Sequence, residues 1–144
     1  MTRVSPELRR FAGHVVAHET MVNDFPAAKI PAACIAMERL RPHLAALMGG
    51  VGFSAFLTRA LALSITGFPW LREITVNADG SFRGFNDLEA QIKPGTLIEG
   101  CVAVFANLLG LLEALIGEDL TLRLVRDVWP ELPPDGLTVK KVIA

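Results

Sequence analysis

Two of the chain's three histidines, His14 and His18, stand four residues apart in the run HVVAHE, which ends at Glu19. On a helix that spacing stacks two imidazoles on one face, as a bound metal or haem iron requires. A zinc site needs a third protein ligand. His43 or Glu38 would supply it if the next helix packs alongside. Three features weigh against the site. The pattern is not HExxH, and no other helix repeats a cluster of Asp, Glu or Cys. On a helical wheel His14 faces away from the apolar centre at Phe11 and Val15, with His18 at its border. Two boundary histidines on an amphipathic helix explain the same residues.

Other constellations are thinner. Gly49-Gly50-Val51-Gly52 precedes a helix, but a phosphate-binding loop follows a strand and carries a lysine, and neither holds here. Asn77, Asp79 and Gly80 suit a hairpin turn better than a calcium loop, because Asn86 stands where a bidentate glutamate belongs. There is no GxSxG, and neither Ser54 nor Ser64 has an identifiable base. No catalytic residue is assigned. An enzyme without a motif would need a carboxylate such as Glu113 or Glu99 in a deep pocket. Arg59, Arg123, Arg126 and Glu113 are candidates for binding an anion or ligand. Ion pairs of Arg59, Arg123 and Arg126 with Glu99, Glu113, Glu118 or Asp119 are the structural reading of the same charges.

These residues must be positioned by helices. Ser5-Pro6-Glu7 is a helix start, and Leu8, Phe11, Val15 and Val22 share one face, predicting a helix to about Met21. Pro31 opens a second, which Pro42 ends at Arg41 or kinks on its way to Gly49-Gly50. Gly52 leads into a third, through Phe56, Leu57, Leu61 and Ile65. The period then changes to alternation at Ile74-Thr75-Val76, with a turn at Asn77–Gly80. That predicts a β-hairpin over about residues 73–85. Asn86–Glu89 reads as a short capped turn. The longest helix is predicted from Thr96 to Ile116, and a further one from Leu120 to Val128. Pro133-Pro134-Asp135-Gly136 is a strong turn signal, so residues 133–144 form an extended tail or an added strand beyond a single domain over 1–132.

The longest helix also carries the chain's main apolar run. Between Glu99 and Glu113 only 13 residues are uncharged. A membrane span needs about 20, so a central bundle helix is expected. Gly100, Ala103, Asn107, Gly110, Ala114 and Gly117 recur at spacings of 3, 4, 3, 4 and 3. They form a seam for close packing, within the chain or across a dimer. Leu108, Leu111, Leu112 and Leu115 fill the other face with Val104, and Glu99, Ala106 and Glu113 form a narrow wet edge.

Composition sets the outer limits. The chain has 144 residues, 51% hydrophobic and 20% charged, with mean hydropathy +0.42. Disorder is excluded, and a net charge of −1 argues against nucleic acid as a partner. The charge is uneven. Residues 1–72 hold eight basic and four acidic side chains, and residues 73–139 hold four and eleven. Such asymmetry favours two halves, or two copies, facing each other with opposite potential, and chance placement of solvated charges explains it equally well. Cys34 and Cys101 lie in apolar runs without CxxC, which reads as two free thiols. The N-terminal residues carry no signal core, which gives a cytoplasmic expectation.

The stretch LLGLLEALIGEDLTLRLVRDVWPEL from Leu108 to Leu132 resembles the end of a group of small uncharacterised bacterial proteins. FLTRALAL at Phe56–Leu63 and the hairpin segment VNADGSFRGF fit the same group. The resemblance implies a compact bacterial domain and no catalytic motif.

The expected fold is mainly α, a bundle of about five helices with one inserted β-hairpin. The expected function is a non-enzymatic interaction or regulatory module, a homodimer or a binder of another protein, with no cofactor and no membrane insertion. The alternative is a small-molecule or metal-binding helical protein using His14, His18 and His43.

Overall fold

The computed structural model describes residues 6–22, 35–78, 82–84, 88 and 91–130. Helix α1 is Pro6–Val22, α2 is Ile35–Ser64, α3 is Pro94–Ile116 and α4 is Glu118–Val128. Between α2 and α3 stand a 3-10 helix, Pro69–Glu73, and two short strands, β1 at Thr75–Val76 and β2 at Phe82–Arg83. The architecture is thus mainly helical with a small hairpin. The strands pair antiparallel, Thr75 with Arg83 and Val76 with Phe82.

The helix count needs correcting. The described residues hold four helices rather than about five, because the second and third expected helices join end to end at Gly49 and count as one kinked helix, α2. Pro42 lies inside α2 without ending it. The glycine break survives as a kink: Gly49 sits at φ 80°, ψ 161°, outside the helical region, a conformation open to glycine because it lacks a Cβ. The last helix starts at Glu118, directly after Gly117 at φ 92°. Glu118 and Asp119 in its first turn and Arg126 in its last complement the helix dipole. In the expected Asn86–Glu89 turn Leu88 is buried, while Asn86, Asp87 and Glu89 lie outside the described residues, as does the tail 133–144.

Helix α3 is the centre. It packs most extensively on α2, then on α1 and on α4. Leu97, Cys101, Val104, Phe105, Leu108, Leu109 and Leu112 are all buried. Phe11, Ala12, Val15 and Val16 of α1 join the same core, as do Leu40, Leu44, Phe53 and Leu57 of α2. Trp129, just past α4, is 1% exposed and meets the Phe105 ring edge-on at 5.6 Å. Such aromatic pairs contribute about 0.5–1.5 kcal/mol beyond their buried area.

Three further expectations change. Ala106, placed on a wet edge by its heptad spacing to Glu99 and Glu113, is 3% exposed and belongs to the core. Leu115, assigned to the apolar face, is 60% exposed. Cys101 is buried and disulfide-bonded rather than a free thiol. Cys34, the sequence's other cysteine, lies outside the described residues.

The hairpin is fastened to the helices at two points. The Ser54 hydroxyl of α2 donates to the Asn77 carbonyl at 3.0 Å. Gly84, at φ 111°, lies so close to the Glu73 carbonyl that a Cβ there would stand 2.8 Å from its oxygen. A closer approach still is made on α3. A Cβ at Gly100 would stand 2.4 Å from Cζ2 of Trp70 and 2.7 Å from Cη2. The six-membered ring of the Trp70 indole therefore packs directly against bare helix backbone at Gly100. Gly100→Ala should cost about 1–3 kcal/mol through overpacking, read as a lower urea midpoint. Unchanged stability would show that the indole moves aside freely.

Candidate functional site

Two surface features stand out. The first is a cavity of about 300 Å³ lined by Arg9 of α1, Phe68, and Glu99, Val102, Ala103, Ala106 and Asn107 of α3. The cavity exists because α3 offers alanine at 103 and 106, where larger side chains would fill the space. Its volume is at the lower end of the range for small-molecule sites. Arg9 and Glu99 are exposed, and Phe68, Val102 and Asn107 are half-buried.

The polar wall of this cavity is held in a defined orientation. Ser64, 4% exposed, donates its hydroxyl proton to the Ala60 carbonyl at 2.9 Å. A hydroxyl has one proton to give. Toward Asn107 it can therefore only accept, and Nδ2 of Asn107 donates to it at 2.9 Å. The amide is oriented by that network: nitrogen toward α2, Oδ1 left as an acceptor.

The second feature is an apolar groove of about 210 Å³ where α2, α3 and α4 converge. Leu47, Ile116, Leu120 and Leu124 line it, with Arg123 and Asp127. Leu47 is 61% exposed and Leu120 is 50% exposed. Val51, four residues beyond Leu47 and past the kink at Gly49, is 80% exposed. Leu115 near the end of α3 is 60% exposed.

The histidines do not assemble into a site. His14 is exposed and His18 half-buried on α1, and His43 is exposed on α2. Among the described residues no group of three or more His, Cys, Asp or Glu side chains could hold a metal ion. Glu38, the other candidate third ligand, pairs instead with Arg41 at 2.6 Å. Arg59 and Arg126 are exposed on α2 and α4. Arg123 lines the groove at α2, α3 and α4. Glu113 is half-buried with its Oε2 shielded from solvent.

The small-residue seam is divided among several uses. Gly100 receives Trp70. Ala103 and Asn107 line the cavity, Gly110 is buried, and Ala114 and Gly117 are exposed. Sequence reasoning missed Arg9 and Phe68 altogether. Each is a single ordinary residue from a distant segment, so no spacing links them to Glu99 or Asn107.

No protein-family model, curated protein or solved structure matches the chain.

Ser64→Ala should cost about 1 kcal/mol, the net worth of a partly buried hydrogen bond, and should free the Asn107 amide to rotate. Amide side-chain NMR would show it as a shift of one Asn NH₂ pair. An unmoved pair would mean that Ser64 does not orient Asn107.

Proposed function

We propose that the protein is a non-enzymatic interaction module that works as a homodimer through the apolar face at α2 and α4. The observation that carries this is the exposure of Leu47, Val51, Leu115 and Leu120. Two of the four, Leu47 and Leu120, line one groove. Isolated exposed apolar residues need no explanation, but a grouped patch with a polar rim marks an interaction surface. The rim is self-complementary in charge. Arg123 and Asp127 lie one turn apart on α4 beside the groove. A two-fold axis through that face sets Arg123 of each copy against Asp127 of its partner, as an isologous contact requires.

Helix α2 concentrates the surplus. Both α2 and α3 are long and apolar enough to cross a membrane by length and composition alone. In the most apolar window of α3, 61% of the residues are buried inside the bundle, but in that of α2 only 28% are. Burial accounts for α3; a partner surface is what α2 lacks. The metal-binding alternative through His14 and His18 draws no support from a third ligand. The disulfide at Cys101 weighs against the cytoplasmic expectation, since cytosolic thiols are normally kept reduced.

Sedimentation equilibrium in detergent-free buffer tests the proposal. The expected species is a dimer. Leu47→Glu with Val51→Glu should weaken it at least about tenfold while leaving the far-ultraviolet circular dichroism unchanged. A wild-type monomer, or quantitative partition into lipid vesicles with no dimer in buffer, would overturn it.

A further inference from the structure

We propose that the cavity between α1 and α3 binds a small zwitterion with an apolar body: a free amino acid or a dipeptide carrying a primary ammonium and a carboxylate. Three features of the cavity select that chemistry.

First, it presents one charge of each sign. Arg9 and Glu99 both line it, and among the described residues no ion pair joins either of them to another side chain. Two opposite charges at one concavity that do not neutralise each other suit a molecule with both charges of its own. A simple anion would satisfy Arg9 and meet repulsion from Glu99. A simple cation would meet the reverse.

Second, the interior is apolar on two sides. Phe68, from the segment after α2, and Val102, Ala103 and Ala106 of α3 all line it. A ligand carrying only polar groups would leave that surface wet, whereas a hydrocarbon side chain gains about 25 cal/mol for each Å² of apolar surface it removes from water.

Third, Asn107 supplies a fixed acceptor. One N–H of its amide is committed to Ser64, and Ser64 is in turn committed to the Ala60 carbonyl, which fixes the orientation of the amide. Oδ1 therefore waits for a donor, which favours a primary ammonium or peptide N–H over a quaternary ammonium with no proton to give. Glu99 and Asn107 are eight residues apart on α3, about 12 Å along its axis. A ligand touching both is extended, as a dipeptide is. A free amino acid uses one of them.

The shared chemistry is tested by ¹⁵N-HSQC titration of the full-length protein, following the backbone amides of Val102, Ala103 and Ala106. The probes are L-leucine, L-leucyl-L-leucine, N-acetyl-L-leucine, L-leucine amide and N-trimethyl-leucine. Leucine or leucyl-leucine should bind saturably and more tightly than N-trimethyl-leucine, and the tighter of leucine and leucyl-leucine identifies the source. Because Arg9 and Glu99 are exposed and screened, removing either ligand charge should weaken binding by about two- to tenfold rather than abolish it. Arg9→Gln should erase the penalty for the amide, and Glu99→Gln the penalty for the acetylated form. Ala103→Leu should weaken every probe by filling the cavity. Both charged residues are on the surface, so their variants keep the fold. Absence of saturable shifts with either zwitterion overturns the proposal. Equal affinity for blocked and unblocked forms, or penalties that persist in the Arg9 and Glu99 variants, overturns it too.

Discussion

A helix that buries Leu97, Cys101, Val104, Phe105, Leu108, Leu109 and Leu112 has to be covered from more than one side. The packing of α3 imposes that constraint on everything else. Helix α2 lies along it, α1 takes a second side, and α4 turns back at once from Gly117 to close the end. Trp129 seals the closure against Phe105. The small hairpin is fastened where α2 and the 3-10 helix offer it backbone contacts. Even the cavity follows from α3, because its alanines leave the space that Phe68 and Arg9 face.

How much of this was legible in the residues varies with the physics involved. The type and place of α1, α3 and α4 follow from apolar period and from the proline and glycine punctuation around them, because those are local. The hairpin was legible because alternation and a turn signal coincide at Ile74–Gly80. Whether Pro42 ends a helix was not. Pro42 costs a helix one hydrogen bond and a steric adjustment, and whether that cost ends the helix depends on how well its flanks are packed. Here Leu40 and Leu44 on either side are fully buried, and the packing prevails. Ala106 shows the same limit. Heptad spacing grouped it with two glutamates, but the burial of α3 on several sides leaves no continuous wet edge.

The candidate site was less legible than the fold. The histidines attracted attention because their spacing fits a known chemistry, yet the fold holds His14 and His43 on its surface. Glu99 and Asn107 were visible as members of helical patterns, but their partners in the cavity come from α1 and from the segment after α2. Only tertiary packing brings those together. The seam of small residues was visible as a pattern, without its meaning. It provides a bed for an indole at Gly100, a cavity wall at Ala103 and Asn107, and exposed positions at its end.

The apolar surplus is therefore split. One part is consumed around α3, and the other stays on the outer face of α2 and α4, where a second copy is proposed to cover it. Hydrogen–deuterium exchange at low and high protein concentration addresses both parts in one experiment. Amides of 97–112 should be the slowest at either concentration, since their opening requires the core to open. Amides of 45–53 and 115–124 should slow as concentration rises. Fast exchange throughout α3, or protection at 45–53 and 115–124 that is independent of concentration, would contradict this division of the apolar surface.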